Sequence, residues 1–146
     1  MAVVNRQDAK AAKSAKDFFE PSTVLDDLAY AVIGAAIEVH RWLGPGYFES
    51  VYEDALAYEL ELRGLSFQRQ VPFILEYKGR TVGKGRIDLL ISNELIVELK
   101  SVEQIAPVHR GQVITYLKGT GKHLGLLINF NVAVLKLGIH RIIATP

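Results

Sequence analysis

The segment from residue 85 to residue 100 constrains the fold more than any other, because it has the form of a β-hairpin. Two apolar runs are separated by the polar tripeptide Ser92-Asn93-Glu94. A short polar loop between two such runs is typical of antiparallel strands joined by a tight turn. With this tripeptide as the turn, Ile91 is predicted to pair with Leu95.

The predicted register brings two carboxylates together. Continuing the ladder places Asp88 directly opposite Glu98, with Lys100 two residues further along the second strand. Directly opposed side chains have Cβ atoms about 5 Å apart, and like charges in such a pair are destabilising. Hard cations such as Mg²⁺ bind one or two carboxylates together with water and phosphate oxygens. A neighbouring ammonium group can stabilise charge on a phosphate. The pattern therefore favours a divalent cation between the two acids.

Side chains alternate across a strand, so the hairpin is expected to have two distinct faces. The wholly apolar face is predicted to carry Ile87, Leu89, Ile91, Leu95, Val97 and Leu99. The other face is predicted to carry Arg86, Asp88, Leu90, Ile96, Glu98 and Lys100. A solvated outer surface is the alternative interpretation of these charges. Leu90 and Ile96 favour partial cover of the charged face instead.

The order of elements predicts an α/β fold with a mixed sheet and a crossover helix. Helices are expected over residues 28–40, about 48–63 and 107–118, and strands over 67–77, 81–91, 95–101, 124–130 and 132–137. Gly119 is expected to close the third helix, and Pro72 indicates an edge strand or a bulge. The lysine-rich residues 1–24 predict a flexible N-terminal arm before a domain over residues 25–146.

Composition excludes several classes of function. The chain of 146 residues has no cysteine, which excludes disulfides, thiolate zinc sites and cysteine nucleophiles. Its net charge of +1 means that any attraction for phosphate has to be local. The sequence has no apolar run of membrane-spanning length and no signal-peptide core, so a cytoplasmic protein without a membrane partner is expected. Glycine-rich nucleotide loops and serine-hydrolase elbows are absent from the sequence.

Three further residues could carry chemistry. Glu49 follows a glycine-rich loop at the start of the second helix, where a carboxylate also suits the helix dipole. Gln112 and Tyr116 lie four residues apart on the third helix and therefore share a face. They could orient a phosphate, a water molecule or a scissile strand. An exposed amide and an ordinary amphipathic tyrosine are the alternative interpretation of that pair.

Taken together, these elements resemble the GxxExxY protein family, which is assigned to the PD-(D/E)XK nuclease superfamily. The segment 46–52, Gly-Tyr-Phe-Glu-Ser-Val-Tyr, fits the GxxExxY signature, and residues 112–116, Gln-Val-Ile-Thr-Tyr, match a QxxxY motif. The resemblance extends from about residue 28 to residue 143. It implies a restriction-endonuclease-like α/β core, in which helices flank a central mixed β-sheet.

The resemblance also implies a metal site. By analogy, Asp88, Glu98 and the main-chain carbonyl of Leu99 would bind Mg²⁺ or Mn²⁺. Lys100 would position the attacking water, and Glu49 would bind a second cation or a metal-bound water. Gln112 and Tyr116 would orient the substrate, and Arg86 is a candidate phosphate contact. The residue before Asp88 is Ile87 and not the proline of the superfamily's name, which leaves the ligand chemistry unchanged.

The leading hypothesis is thus a divalent-metal-dependent nuclease that hydrolyses phosphodiester bonds, with DNA as the expected substrate. A catalytically silent nuclease-fold module that binds DNA or a protein partner is the second. A self-associating structural protein is a remoter third. The choice between DNA and RNA as substrate and between endonuclease and exonuclease cleavage stays open at this point. The existence of a homodimer stays open as well.

Overall fold

Three helices flank a five-stranded sheet in the computed structural model, which describes residues 21–144. The elements are α1 (Thr23–Leu43), α2 (Glu49–Leu62), β1 (Phe67–Tyr77), β2 (Arg80–Ile91), β3 (Leu95–Lys100), α3 (Pro107–Thr120), β4 (Leu124–Asn129), a 3₁₀ turn (Leu135–Gly138) and β5 (Ile139–Ile143). Most of the predicted arm, residues 1–20, lies outside the described residues. Helix α1 already begins within the remainder of that arm, because the Ser22 hydroxyl accepts a hydrogen bond from the Leu25 N–H and caps the helix.

The strands follow chain order across the sheet, β1-β2-β3-β4-β5. Pairing is antiparallel except between β3 and β4, which run parallel and are connected through α3. A parallel pair needs such a crossover connection, so the predicted mixed sheet with a crossover helix is confirmed. Strand β1 lies at an edge of the sheet. Pro72 has no N–H to donate, and an edge strand tolerates that loss.

The sheet separates two apolar cores. Helices α1 and α2 pack on one face, against Leu89, Leu95 and Val97 among others. Helix α3 packs on the other face, against Leu90 and Ile96. The partial cover expected for Leu90 and Ile96 is therefore confirmed. Because both faces are covered, β3 is buried along nearly its whole length, as strands between two helical layers usually are. None of the helices within residues 21–144 combines the length and apolar character needed to cross a membrane.

The predicted pairing of Ile91 with Leu95 is confirmed, but the predicted apolar face is wrong at Ile87. Ile87 packs with the α3 core, whereas Leu89 packs with the α1 and α2 core. Pairing between β2 and β3 extends only from Ile91 with Leu95 to Leu89 with Val97. Opposite Asp88 on β1, Gln70 has a φ of 51°, which interrupts the regular strand conformation. The regular alternation of β2 side chains between the two sheet faces is therefore interrupted at Asp88, so that Ile87 and Leu89 lie on opposite faces.

Two other predicted boundaries are also corrected. The strand expected over residues 132–137 is absent, because bends and the 3₁₀ turn Leu135–Gly138 occupy that segment and the last strand begins at Ile139. A Cβ on Gly138 would lie 2.1 Å from the Asn129 carbonyl oxygen, so this close backbone approach requires glycine. Helix α3 continues past Gly119 and is capped by Gly121, which has a φ of 73°.

Gly119 leads to a stability prediction, because it lies inside α3 directly against β1. An alanine Cβ there would be 2.4 Å from the Phe73 ring, which is itself buried in the α3 core. We expect Gly119→Ala to destabilise the protein by about 1–3 kcal/mol through overpacking. Gly111→Ala is the matched control, since a Cβ at Gly111 of the same helix meets nothing within 4 Å. That control should stabilise the protein by up to about 1 kcal/mol. Urea unfolding measures both, and equal effects would contradict the packing argument.

Candidate active site

The hairpin acids bind the main chain of each other's strand. The Asp88 N–H donates to the Glu98 carboxylate at 2.7 Å, and the Leu99 N–H donates to the Asp88 carboxylate at 2.9 Å. These two contacts continue the hairpin where regular pairing of β2 with β3 has ended. Each carboxylate accepts a hydrogen bond from a main-chain N–H. Both are therefore held close together at the point where the side-chain alternation of β2 is interrupted.

The two acids sit in surroundings that oppose their charge. Burial, and secondarily the charge of Asp88, raises the pKa of Glu98 to about 8, and the Glu98 side chain is almost fully buried. Burial also raises the pKa of Asp88, against the opposing effect of the Leu99 N–H. Near neutral pH the pair therefore favours having a proton or a cation between its members. A site that strongly perturbs carboxyl groups in this way is a candidate for function.

Lys100 lies beside the acid pair at the end of β3. Its positive charge lowers the pKa of both Asp88 and Glu98, although burial outweighs that effect. The Lys100 carbonyl accepts a hydrogen bond from the Phe130 N–H, and the residue pairs with Asn129 on β4. Asn129 in turn binds both the N–H and the carbonyl of Val102. The main chain around Lys100 is thus fixed on both sides, while its side chain is half-buried.

Gln70 connects the acid pair to helix α2. Its side-chain amide donates to Glu53 at 2.7 Å and to Asp88 at 3.2 Å. Arg69, the preceding residue, forms ion pairs with Glu53 and Asp54. The charge of Glu53 also contributes to the raised pKa of Asp88. Gln70 and Glu53 therefore belong to the surroundings of the site.

Glu49 begins α2 and is exposed. Its charge makes a small contribution to the raised pKa of Glu98, so it lies within electrostatic range of the acid pair. The preceding loop is held by Tyr52, whose hydroxyl donates to the Gly44 carbonyl and accepts from the Tyr47 N–H. The Tyr52 ring is fully buried and stacks on Phe130 with ring centroids 4.4 Å apart. Tyr52 thereby fixes the position at which Glu49 enters the site.

Gln112 and Tyr116 are hydrogen bonded on the face of α3 that meets β2. The Gln112 amide donates to the Tyr116 hydroxyl, and that hydroxyl donates to the Arg86 carbonyl, both at 3.2 Å. A Cβ on Gly85 would lie 2.7 Å from the same hydroxyl, so β2 passes very close to Tyr116. Burial, with a contribution from the charge of Glu98, raises the pKa of Tyr116. Tyr116 therefore anchors β2 beside the acid pair.

An open groove of about 610 Å³ lies next to these residues. Its lining includes Lys100, His109 and Gln112. His109 accepts a hydrogen bond from the Ala106 N–H and so caps α3. The Arg86 side chain is exposed, and the recorded pairing of β2 with β3 ends before Arg86 and Lys100. The structure thus brings Lys100 and Gln112 to one groove and leaves Arg86 on the hairpin beyond it.

The donor set fits a hard divalent cation of the kind that binds through few protein ligands. Among the described residues, no group of three or more His, Cys, Asp or Glu side chains forms a metal cage. Mg²⁺ commonly binds one or two carboxylates and completes its octahedron with water and substrate phosphates. Asp88 and Glu98 supply two such carboxylates, and burial raises the pKa of both, with a further contribution to Glu98 from the charge of Asp88. A bound cation would offset the cost of burying these charges. Leu99 lies directly beside them through its N–H bond to Asp88.

Sequence reasoning missed three residues around the site: Glu53, Gln70 and Asn129. Glu53 could have been found from its position one helical turn after Glu49. Gln70 is a polar residue in a strand and carries no distinguishing pattern, because its role depends on a left-handed backbone conformation. Asn129 lies at the end of an apolar run, where a buried amide suggests hydrogen bonding to main chain.

Comparison with known proteins supports the fold and identifies the family. No curated protein matches the chain significantly. A solved structure described as "Crystal structure of SSO0001" matches with a TM-score of 0.54 at 20% identity, over 67% of this chain and 51% of that chain. This chain thus spans about half the length of that structure, and at this identity the likeness shows the fold alone. The family model described as the PD-(D/E)XK nuclease superfamily matches residues 26–142. The chain therefore belongs to the PD-(D/E)XK nuclease superfamily.

Proposed function

We propose that this protein is a divalent-metal-dependent nuclease that hydrolyses phosphodiester bonds, with DNA as its substrate. The observation that carries the proposal is the paired, mostly buried Asp88 and Glu98, each held by a main-chain N–H, with Lys100 beside them. Members of the superfamily generally use divalent metals such as Mg²⁺. All three side chains that such chemistry needs are present together.

Each residue has a role in this proposal. Asp88, Glu98 and the Leu99 carbonyl would hold Mg²⁺ or Mn²⁺, and that ion would supply activation of a water molecule and neutralisation of phosphate charge. The Lys100 ammonium orients the attacking water and stabilises the extra negative charge that develops on the phosphate. Glu49 would bind a second cation or a metal-bound water.

Residues on α3 and β2 complete the proposed roles. Gln112 faces the groove next to Lys100 and orients the substrate strand. Tyr116 acts with Gln112, through the hydrogen bond between them, and holds the main chain of Arg86 beside α3. Arg86 then contacts a substrate phosphate, which is consistent with its exposure.

Several finer assignments accompany this proposal. We assign the chain to the GxxExxY group, since Tyr52 fixes the loop that places Glu49 and thereby gives the motif a physical role. The cytoplasmic location stays a prediction, and so does the homodimer.

A silent nuclease-fold module remains the second candidate function, because the acid pair and the fold would also be found in a protein that only binds DNA.

A cleavage assay separates the two candidates. Labelled single- and double-stranded DNA and RNA are incubated with the protein and Mg²⁺, Mn²⁺ or EDTA. We expect cleavage with either metal, none with EDTA, and none from Asp88→Ala. Isothermal titration with Mn²⁺ should show binding that requires Asp88 and Glu98. Metal binding without cleavage of any of these substrates would favour the silent module, and cleavage by Asp88→Ala would refute the site.

Gln70 supplies a further test, because it orients Asp88 without belonging to the proposed ligands. Residues that hold a metal ligand typically change metal affinity or activity by about 10–100-fold when they are removed. We expect Gln70→Ala to weaken Mn²⁺ binding and cleavage by at least about tenfold, with little loss of stability. Gln68→Ala is the matched control, since Gln68 is an exposed residue of the same strand. Equal effects of the two substitutions would contradict the positioning role.

A further inference from the structure

The hairpin formed by β1 and β2 extends well beyond the acid pair. Every residue from 74 to 82 is exposed, in contrast to the buried part of β2 that follows Ile87. We call residues 74–86 the distal hairpin. It carries four cationic residues and one acidic residue, which are Lys78, Arg80, Lys84, Arg86 and Glu76. Cations therefore outnumber acids on this hairpin, although the net charge of the whole chain is only +1.

The cations of the distal hairpin are not neutralised within the described part of the chain. No ion pair joins any of them to a carboxylate in residues 21–144. Arg41, Arg63, Arg69 and Arg141 differ, because each pairs with a nearby acid, whereas Arg110 contacts the His140 ring. A cation without an acidic partner can bind an external anion without first breaking an ion pair.

The base of the distal hairpin is fixed to the site. The Tyr116 hydroxyl donates to the Arg86 carbonyl, and the backbone at Gly85 passes too close to that hydroxyl to admit a Cβ. A strand rises about 3.3 Å per residue, so Arg80 lies roughly 25 Å along β2 from Asp88. That span corresponds to several nucleotides, since phosphates of a DNA strand are spaced about 3.4 Å apart along the duplex axis.

We propose that the distal hairpin binds the phosphate backbone of a nucleic acid strand that leads away from the acid pair, with its cationic residues as the phosphate contacts. The proposal rests on the proposed function, because it places the strand that the acid pair would cut. Tyr77 is 62% exposed and lies opposite Arg80, and the Lys78 ammonium lies over its ring at 5.3 Å from the centroid. The ring can stack on a base, and the ammonium beside it can contact a phosphate.

A second copy of this chain is the competing occupant. Ile74, Leu75 and Val82 are exposed, and β1 is an edge strand that could pair with another chain. A symmetric pairing would bring the same unpaired cations of two copies together. Charge complementarity therefore favours a polyanion over self-association.

Binding of fluorescein-labelled single- and double-stranded DNA and RNA in EDTA tests the surface without any cleavage. Association constants are measured by anisotropy at several salt concentrations for wild type and for Arg80→Ala/Lys84→Ala. Each lost phosphate contact should reduce the slope of log K against log salt by about 0.7–0.9. We therefore expect the slope to fall by about 1.4–1.8, with binding weakened at least tenfold at low salt. The matched control is Lys118→Ala/Lys136→Ala, which removes two exposed cations outside the hairpin.

The variant Thr81→Lys adds a cation at an exposed hairpin position and should increase the slope of log K against log salt. It tests the surface even if the double variant folds poorly. Equal losses in the two double variants, or no nucleic acid binding by wild type, would overturn the proposal. A wild-type dimer in light scattering that the hairpin substitutions dissociate, without any effect on nucleic acid binding, would also overturn it. Hairpin-dependent binding without metal-dependent cleavage would support this surface and refute only the nuclease proposal.

Discussion

Lys100→Ala should reduce metal-dependent cleavage by at least about a hundredfold, the loss expected when one preorganised stabilising group is removed. The substitution should leave the fold intact, because β3 is held at this position through the main-chain bonds of Lys100 to Phe130 and Asn129. It should also shift the pH dependence. Since the Lys100 charge lowers the pKa of Asp88 and Glu98, its loss should move the acidic limb of the rate profile to higher pH.

Initial rates between pH 6 and 10 at saturating Mg²⁺ would measure both effects. Lys136→Ala, an exposed lysine of the 3₁₀ turn, is the control and should behave like wild type. Lys100→Arg separates charge from geometry, because a guanidinium keeps the positive charge but differs in shape and hydration. We expect it to retain the pH profile without restoring the full rate. Wild-type rates in Lys100→Ala would contradict the role of the ammonium.

Glu98→Gln should stabilise the metal-free protein at alkaline pH by a few kcal/mol. The pKa of Glu98 is about 8 in the folded protein, against an ordinary value of 4.5. The folded protein therefore holds this proton more tightly than the unfolded chain does. The resulting contribution to the free energy of unfolding is at its maximum below pH 4.5. It is lost as pH rises towards 8, because the unfolded chain ionises first. One pKa unit corresponds to about 1.4 kcal/mol, which sets the scale of the loss.

Chemical unfolding in EDTA at pH 5, 7 and 9 would check this expectation. Wild type should lose stability across that range, while Glu98→Gln should lose less. Glu94→Gln, in the exposed turn of the same hairpin, should follow wild type. Mg²⁺ should raise the stability of wild type at pH 9 by binding the folded state, and should do so much less for Glu98→Gln. A parallel pH dependence in wild type and Glu98→Gln would contradict the assignment of this titration to Glu98.

The parts of the fold that depend on local pattern were predictable from the sequence. The turn and the pairing of Ile91 with Leu95 follow from a polar tripeptide between two apolar runs. The glycine-rich loop before Glu49 likewise follows from local pattern, because Gly44 adopts a φ of 69°, which glycine allows at little cost. The mixed sheet with a crossover helix also followed from the order of elements, since a helix between two strands calls for a parallel crossover.

Predictions failed where a distant contact decides the local structure. Alternation of side chains placed Ile87 with Leu89, but the conformation of Gln70 on the neighbouring strand changes the face. The apolar residues 132–137 resemble a strand, yet the close approach of Gly138 to Asn129 bends the chain there. Neither interaction leaves a periodic signal in the sequence.

The candidate site shows the same division. Asp88, Glu98 and Lys100 could be proposed together because they lie on one hairpin. Gln70 could not, because its contacts with Asp88 and with Glu53 of α2 depend on its left-handed backbone conformation and on how α2 packs against β1. Glu49 and Gln112 were candidates from their positions on the second and third helices, but how close they lie to the acids and the groove depends on tertiary packing.

The short connection between the two acid-bearing strands has a consequence for how the protein folds. Asp88 and Glu98 are joined by a tight turn, so the entropy lost in bringing them near each other is small. Pairing of β3 with β4 instead requires α3 to cross over the sheet, which closes a longer loop. The acids therefore meet early, while they are still hydrated, and their repulsion grows only as both helical layers cover them. Ionisation of Glu98 should thus act mainly by accelerating unfolding, and the initial formation of the hairpin should be nearly independent of pH.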